Sequence, residues 1–556
     1  MRALHRRRFL RASALGGAVA ATGVMTSACR SDAPSAQPAA PSDATPADAP
    51  TPAPFELAEA TVADLQQRMQ SRQDTARSIV EKYLARIEAL NHQGPSLHAI
   101  IEVNPDALSI ADALDAERKS TGARGPLHGI PVLLKDNIDT HDAMTTSAGS
   151  LALEGSKAPQ DSTVAARLRA AGAILIAKAN LSEWANFRST KSTSGWSGRG
   201  GQCRNPYALD RNPSGSSSGS GSATAANLTA LSIGTETDGS IVSPASHCSL
   251  VGIKPTLGYV SRAGIIPIAH SQDTAGPMTR TVTDAAILLG ALVGGDSRDP
   301  LSREGETKGT RDLTSALDPN GLKGARLGVV RTRLFGVSPR VDRVAEAALA
   351  DLKALGAELV DPADIPSLGK FDDSEFDVLA YEFKADLNAY LASLGPGRPM
   401  KDMADIIAFN TANRERELQY FGQEIMELSV KKGGLDSKDY QAALARNLRL
   451  SRTEGIDAVM DKHRLDALVC PTGSLPGLID LINGDSGYFG ASTAPAVAGY
   501  PHVTVPAGYT AGLPVGLSFI GRAWSEPLLV KFAFAYEQAT KHRRPPAFKP
   551  TADLDA

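Results

Sequence analysis

A run of serines and glycines at residues 214–221 is the feature that most constrains what this chain can fold into. Such a run lets the backbone take conformations with positive φ and leaves amide N–H groups free to point at a ligand. It is too dense in these residues to predict a strand or the interior of a helix. We expect a helix of small residues at 223–231, a buried strand at 232–235 and a tight turn at 237–240. The two serine-bearing loops form a candidate catalytic site.

A flexible linker is the commonest source of a Gly/Ser run. The neighbouring sequence favours an ordered loop instead, because patterned segments lie on both sides without the proline or charge drift of a linker. The run also precedes the predicted helix, whose N-terminal dipole favours developing negative charge.

The first 54 residues have the composition of a targeting segment and a tether. Arg6-Arg7, Phe9-Leu10 and the apolar stretch at 12–25 resemble a twin-arginine export signal over residues 1–29, too short and glycine-rich for a membrane span. Its end, Thr-Ser-Ala-Cys, fits conventional cleavage or a lipobox in which a lipidated Cys29 would anchor the protein to a membrane. Residues 30–54, mostly Ala, Pro, Asp, Ser and Thr, predict a disordered tether. We expect an exported protein, periplasmic or membrane-tethered in a bacterial cell envelope.

Residues 55–556 have the composition of an ordinary globular body. Apolar residues make up 42% of the chain and charged residues 21%, and a net charge of −3 provides no electrostatic footprint for nucleic acid. Apart from Cys29, the cysteines are Cys203, Cys248 and Cys470, too few for a disulfide framework. The sequence has no CxxC or HExxH motif and its histidines are scattered, so we expect neither a metal nor a cofactor.

Apolar runs alternate with helical patterns along this body. Helices are predicted within 61–91 and from a cap at Asp161 or Ser162 to a stop at Gly172. The alternation indicates an α/β protein with a central mixed, mostly parallel β-sheet covered by helices on both faces. Residues 362–456 are polar and helical without a strand signal, which favours a helical insertion that governs substrate selectivity. Besides 232–235, strands are predicted at 98–103, 130–134, 173–177, 327–330, 358–360, 467–470, 503–506 and 517–520.

Lys135 ends the apolar run at 130–134. A lysine at a strand end usually extends its amine to water. A desolvated lysine can instead lose its proton near neutral pH and act as a base, and the Gly/Ser loop supplies hydroxyl groups for such a base.

Three motifs in this order resemble the amidase signature family: Gly-Ile-Pro-Val-Leu-Leu-Lys-Asp-Asn-Ile at 129–138, Gly-Ser-Ser-Ser-Gly-Ser at 215–220 and Gly-Thr-Glu-Thr-Asp-Gly-Ser-Ile at 234–241. Residues 251–256, 273–278 and 498–517 match further blocks of that family. The resemblance runs from about residue 61 to the C-terminus and is weakest in the helical insertion. Within the family, residues 184–205 and the Thr-Glu-Thr-Asp-Gly-Ser turn at 235–240 are most similar to the bacterial peptide amidases.

The resemblance implies a catalytic triad of Lys135, Ser216 and Ser240. Ser240 would be the nucleophile, and Ser216, after a cis peptide bond from Gly215, would pass its proton to a neutral Lys135. The resemblance also implies an oxyanion hole made of the backbone N–H groups of Thr237, Asp238, Gly239 and Ser240, with Asp238 structural.

Two other serines match catalytic motifs. Residues 215–219 fit G-x-S-x-G, which would make Ser217 a nucleophile, but that elbow must follow a strand and residues 207–213 are polar and turn-like. Ser429 begins an S-x-x-K match, but S-D-N and K-T-G do not occur in the chain, and we attribute this match to chance on a solvated helix.

The expected function is hydrolysis of a carboxamide through an acyl-enzyme on Ser240, with release of ammonia from C-terminal peptide amides. Other small linear or aryl amides are the alternative substrates. A glutaminase-type component of a tRNA amidotransferase and a non-enzymatic envelope-binding protein are two further classes. The export signal argues against the first, and the intact Lys135, Ser216 and Ser240 argue against the second. We expect a monomer that binds no nucleic acid.

Overall fold

The computed structural model describes residues 53–554. The predicted export signal at 1–29, and all of the predicted tether at 30–54 except its last two residues, lie outside the described part of the chain. Among the described helices, none combines the length and apolarity that a membrane span requires.

Residues 53–554 form thirteen strands, eleven of which belong to one sheet. The strands are Ile100–Val103 (β1), Pro131–Lys135 (β2), Ile174–Ala179 (β3), Trp196–Ser197 (β4), Gly201–Gln202 (β5), Leu231–Glu236 (β6), Val251–Lys254 (β7), Thr274–Thr279 (β8), Arg326–Val329 (β9), Glu358–Val360 (β10), Ala467–Pro471 (β11), His502–Thr510 (β12) and Leu513–Ile520 (β13). The sheet has the order β1-β3-β2-β6-β8-β7-β12-β13-β11-β9-β10, and β4 pairs with β5 separately.

Helices surround this sheet, with the main apolar core between them. The α-helices of the described residues are Val62–Gln70 (α1), Ala76–Ile87 (α2), Ala107–Ser120 (α3), Thr163–Ala170 (α4), Ser218–Ala225 (α5), Val242–His247 (α6), Val282–Leu292 (α7), Arg303–Lys308 (α8), Pro339–Ala354 (α9), Asp372–Ser393 (α10), Met403–Ala412 (α11), Arg414–Glu417 (α12), Glu424–Val430 (α13), Lys438–Ser451 (α14), Asp457–His463 (α15), Thr493–Ala498 (α16) and Glu526–Thr540 (α17).

The predicted α/β fold with a mixed, helix-covered sheet is confirmed, with one correction to its strand directions. The pairs β2–β3, β2–β6, β9–β11 and β9–β10 are parallel, whereas the six other pairs of the sheet are antiparallel. One cause is the hairpin of β12 and β13, whose turn residues Ala511 and Gly512 both have positive φ. A two-residue turn of that kind joins only antiparallel strands.

The helix predicted at 223–231 is displaced towards the N-terminus, because α5 begins at Ser218 inside the Gly/Ser run. A Cβ atom at Gly219 would lie 2.2 Å from the carbonyl oxygen of Ala99 and 2.5 Å from that of Asn180. Only glycine permits this approach of helix and sheet, so tertiary packing overrides the low helix propensity of glycine.

Candidate active site

Lys135 and Thr235 meet because two parallel strands end at the same edge of the sheet. β2 and β6 pair with Leu134 opposite Ile233, which brings their carboxyl ends together. After β6 the chain turns through Ser240 into α6. The predicted lysine and the second serine turn are therefore presented from neighbouring strands.

The amine of Lys135 contacts three oxygen atoms at this edge of the sheet. Its Nζ is 2.8 Å from Ser216 Oγ, 2.8 Å from Thr235 Oγ1 and 3.2 Å from the carbonyl oxygen of Thr235. The side chain is completely buried. Burial lowers the pKa of Lys135 to about 7, although the carboxylates of Asp273 and Glu236 oppose this shift. The amine is thus neutral in part at physiological pH, and its lone pair can accept a proton.

Ser216 follows Gly215, a position at which no side chain would fit. A Cβ atom at Gly215 would lie 2.2 Å from Ser182 Oγ and 3.0 Å from Asn186 Nδ2. The backbone N–H of Ser182 also donates to the carbonyl oxygen of Ser216 at 3.1 Å. The peptide bond between Gly215 and Ser216 is cis, as the family resemblance implies.

Ser217 connects the two serine loops. Its hydroxyl donates to the carbonyl oxygen of Thr235 at 3.1 Å and accepts from the N–H of Thr235 at 3.2 Å. Its own N–H donates to the carbonyl oxygen of Ser240 at 3.2 Å. Residues 207–213 form turns and bridges and no strand, so Ser217 lacks the setting of a nucleophile elbow. Both hydrogen bonds of its hydroxyl indicate a structural role.

Ser429 differs from the prediction in its burial. The sequence predicts a solvated helix here, but the structure buries Ser429 in α13, where its hydroxyl donates to the carbonyl oxygen of Ile425 at 2.8 Å. A serine hydroxyl can satisfy itself on the preceding helical turn, so burial requires no further partner.

The turn that carries Ser240 is fixed by Glu236. The carboxylate Oε2 of Glu236 accepts from the N–H groups of Ile241 and Val242 at 2.8 and 3.0 Å. Gly239 has a φ of 83°, a conformation that favours glycine. Ser240 itself is 7% exposed and lines a cavity. The turn thus presents one serine at the cavity floor.

The backbone N–H groups of residues 237–240 donate to no acceptor within residues 53–554. The side chains of the turn are held from both sides, since Thr237 Oγ1 donates to Asp273 at 2.5 Å and Thr493 Oγ1 donates to Asp238 at 2.7 Å. Uncommitted N–H groups on a rigid turn are what an oxyanion hole requires.

The cavity above Ser240 has a volume of about 550 Å³. Its walls come from the segment around Phe187, the loop that holds Asp485 and Tyr488, and the first turns of α10. A volume of this size accommodates a small organic or peptide ligand. The residues predicted as a helical insertion, 362–456, therefore contribute one wall of the cavity through α10.

A buried ion cluster attaches the insertion to the cavity wall. Arg188 forms ion pairs with Glu183 and, at 3.3 Å, with Glu417 of α12, and all three side chains are completely buried. The guanidinium also lies over the ring of Phe421, 4.3 Å from its centre. Removing Arg188 would leave both buried carboxylates without their cation.

A second contact joins the insertion to the loop before β8. His270 Nδ1 lies 2.8 Å from Asp386 Oδ2, and its Nε2 lies 3.5 Å from Glu382 Oε1 and 3.4 Å from the hydroxyl of Tyr440. The hydrogen bond to Asp386 raises the pKa of His270. Since the same loop contains Asp273, which accepts from Thr237, the cluster is connected to the Ser240 turn.

Sequence reasoning did not single out Thr235, Glu236 or Gln272. The first two belong to the motif at 234–241, so their position in the motif was a signal for them. Gln272 donates to the carbonyl oxygen of Thr237 at 3.1 Å and to Glu375 at 3.2 Å, a link that depends on loop geometry and has no sequence signal.

Comparisons with known proteins find relatives along most of the chain. A family model described as Amidase matches residues 78–530. The structure of native peptide amidase from Stenotrophomonas maltophilia is 49% identical, with a TM-score of 0.84, and the match covers 89% of this chain and 100% of that one. A probable amidase of Arabidopsis thaliana is 43% identical over 503 residues, covering 89% of this chain and 92% of that protein. A glutamyl-tRNA(Gln) amidotransferase chain of Thermosynechococcus vestitus is 35% identical over 507 residues, covering 88% and 99%.

Proposed function

This chain belongs to the amidase family, as a hydrolase of amide C–N bonds, and we propose that it removes the C-terminal carboxamide of peptides with release of ammonia. The observation that carries the proposed mechanism is the 2.8 Å separation between Lys135 Nζ and Ser216 Oγ, at a buried amine whose pKa is about 7. The substrate class is supported by the likeness to peptide amidase structures at 49% identity over their full length.

In the proposed mechanism, Lys135 is the base and Ser240 the nucleophile. The hydroxyl proton of Ser240 moves to Ser216, whose own proton moves to the neutral Lys135, while Ser240 Oγ attacks the carboxamide carbon. The carbonyl oxygen becomes an oxyanion that accepts hydrogen bonds from the N–H groups of residues 237–240. Protonated Lys135 then returns its proton through Ser216 to the leaving nitrogen. The C–N bond breaks, ammonia leaves and an ester of Ser240 remains.

Water completes the cycle through the same residues. Neutral Lys135 takes a proton from water by way of Ser216 while the water oxygen attacks the ester carbon. Protonated Lys135 then returns a proton through Ser216 to Ser240 Oγ, the ester C–O bond breaks, and the carboxylic acid leaves. One base and one bridge therefore serve both half-reactions.

A panel of amides tests the substrate class. Purified protein is given peptide amides, small linear amides, an aryl amide and free glutamine, and ammonia is measured against Ser240→Ala as the blank. Peptide amides should have the highest kcat/KM. Faster release from linear or aryl amides would transfer the assignment to the alternative substrates.

Glutamine is included because glutamyl-tRNA(Gln) amidotransferase chains are among the relatives. A glutaminase-type protein would release ammonia from glutamine and not from peptide amides. Ammonia from neither, with unlabelled Ser240, would favour a binding protein without catalysis.

We also propose that residues 1–29 direct export, that residues 30–54 form a tether and that the body functions as a monomer. The twin-arginine pattern and Cys29 motivate the first two parts. Fractionation of cells and the mass of the mature N-terminus would separate lipidation of Cys29 from conventional cleavage. A protein lacking the residues before Pro54 should retain soluble activity, and loss of folding in it would contradict the tether.

A further inference from the structure

A smaller apolar pocket lies beside the cavity that holds Ser240. It has a volume of about 170 Å³, and we call it the side pocket. Arg333, Tyr488 and Gly490 line both spaces and form the border between them, to which Gly490 adds no side chain. The walls away from this border are buried and include Val330, Leu334, Ile365, Cys470, Ala494 and Ile520.

The side pocket is suited to an uncharged, apolar group. Of the described residues that line it, only Arg333 and Tyr488 carry a charged or hydroxyl group, and both lie at the border. The guanidinium of Arg333 pairs with Asp372 at 3.2 Å. Burial raises the pKa of the Cys470 thiol to about 12, so that side chain is neutral. A polar group that entered the side pocket would exchange water for apolar walls, which is costly.

One side of the border adjoins the turn that carries Ser240. The hydroxyl of Tyr488 donates to Ser243 Oγ at 3.0 Å, three residues after Ser240. The same hydroxyl lies 3.4 Å from the position of a Cβ atom on Gly239. Tyr488 is therefore placed between the candidate nucleophile and the side pocket.

The first turn of α16 approaches the same place from the other side. Thr493 lines the cavity, and its hydroxyl donates to Asp238 on the Ser240 turn at 2.7 Å. Ala494, the next residue, lines the side pocket. Consecutive residues of an α-helix rise by only about 1.5 Å along its axis. The side pocket therefore begins within one residue of a contact that holds the turn.

The reaction determines which substrate group lies nearest to this border. Ser240 Oγ attacks the carboxamide carbon, and the next carbon atom of the substrate carries the side chain of the C-terminal residue. An apolar cavity of about 150 Å³ can hold a group of the size of benzene, and an apolar group that enters it is removed from water.

We propose that the side pocket binds the side chain of the C-terminal residue and selects peptide amides in which that side chain is a hydrocarbon group, such as that of leucine or phenylalanine. This inference rests on the proposed function and names its preferred substrates.

Matched tripeptide amides that differ only in the C-terminal residue test the proposal with the full protein. One pair ends in leucine or alanine, and the other ends in valine or threonine, which have nearly the same shape. Leucine and valine should each have a kcat/KM about tenfold higher than the partner in the pair, because an apolar pocket distinguishes substrates by a methylene or a hydroxyl group to this extent. Equal rates within both pairs would overturn the inference. A preference that follows the preceding residue of the peptide instead would overturn the assignment to the C-terminal side chain.

Two variants of Ile365 locate the effect in the side pocket. Ile365 lies between β10 and α10, and Ile365→Ala enlarges the side pocket, so the ratio of kcat/KM for C-terminal tryptophan to that for leucine should rise severalfold. Ile365→Phe fills the side pocket, so the ratio of leucine to alanine should fall severalfold. Taking ratios removes any common loss of activity.

Ile456→Ala is the matched control, because Ile456 is completely buried in the same apolar cluster and does not line the side pocket. Both ratios should keep their original values in this variant. Ratios that stay constant in both Ile365 variants, or that change equally in the control, would overturn the proposal.

A binding measurement separates this inference from the proposed function. Calorimetry with Ser240→Ala compares the affinities for the peptides that end in leucine and in alanine, without turnover. If no peptide amide releases ammonia from the original protein, the proposed function fails, and tighter binding of the leucine peptide would still support the side pocket. Equal affinities would overturn the inference, whatever the turnover.

Discussion

Thr235 contacts the amine of Lys135 twice, with its hydroxyl at 2.8 Å and its carbonyl oxygen at 3.2 Å. The hydroxyl also accepts from Asn137 Nδ2 at 3.0 Å. The amine is therefore positioned by the end of β6 as well as by its own strand. Ser216 is the remaining contact of the amine, and in the proposed mechanism it carries the proton from Ser240.

Thr235→Val should lower kcat about tenfold, because a poorly aligned base loses part of its contribution to proton transfer. Removing the hydroxyl also removes an acceptor that stabilises the charged amine, so the rising limb of the pH–rate profile should move to lower pH. Thr235→Ser keeps the hydroxyl and is the matched control. A valine variant with the pH profile of the original protein would contradict the positioning role.

The rate of ammonia release should rise with pH through about 7, where Lys135 loses its proton. The rate falls at lower pH because the amine is then protonated, and only the neutral amine accepts a proton. Lys135→Ala should lower kcat on the order of 10³-fold or more and remove this limb. A limb that persists in Lys135→Ala would assign the ionisation to another group.

A serine-directed reagent followed by peptide mapping should label Ser240. Ser240→Ala should abolish both labelling and activity, whereas Ser216→Ala can retain a trace if water bridges the proton path. The losses from the three triad positions should not add, because the residues act as one unit. Label on Ser217, with full activity in Ser240→Ala, would overturn this mechanism. We do not expect that result, because two hydrogen bonds to Thr235 hold the Ser217 hydroxyl.

Loss of Arg188 should destabilise the protein far more than loss of an exposed arginine. Arg188→Leu leaves Glu183 and Glu417 buried without their cation, at a cost of about 3–5 kcal/mol in the free energy of unfolding. Arg449→Leu is the control, since its pair with Glu454 is half-exposed and is worth about 0–1 kcal/mol. Denaturant unfolding measures both, and similar losses would refute the importance of the buried cluster.

His270 should stabilise the protein most at low pH. Its pKa is raised in the folded state by Asp386, so its contribution is complete below the ordinary histidine pKa of about 6.5 and is lost as the pH rises through the folded value. Because 43% of the side chain is exposed, we expect no more than about 1 kcal/mol. The stability difference between the original protein and His270→Gln, measured from about pH 5.5 to 9, should shrink with pH. A constant difference would exclude titration of His270.

The apolar strands could be predicted from sequence, whereas β7 and β8 could not. β8 contains Gly276 and Pro277, both of low strand propensity, and it pairs with β6 on one side and with β7 on the other. A Cβ atom at Gly276 would lie 2.0 Å from the carbonyl oxygen of Ile253, so the glycine is required by close strand packing. Such a requirement comes from the tertiary structure and leaves no periodic pattern.

The candidate site was predictable through its motifs and much less through its supporting contacts. Lys135 and Ser216 are 81 residues apart, and only the ordered motifs indicated that they belong together. The contacts of Asp485 with Ser194 and of Gln272 with Glu375 depend on how separate loops pack. The position of the cavity walls that these contacts join is therefore a property of the structure.

Gln272 forms hydrogen bonds both to the turn that carries Ser240 and to Glu375 on the insertion helix. Mutant libraries confined to the insertion would consequently alter turnover as well as substrate range, because a displaced Glu375 releases the amide that holds the Thr237 carbonyl. Laboratory evolution towards new acyl groups would benefit from varying positions 272 and 375 together. The side chain at 272 could then still hydrogen-bond both the residue at 375 and the carbonyl oxygen of Thr237.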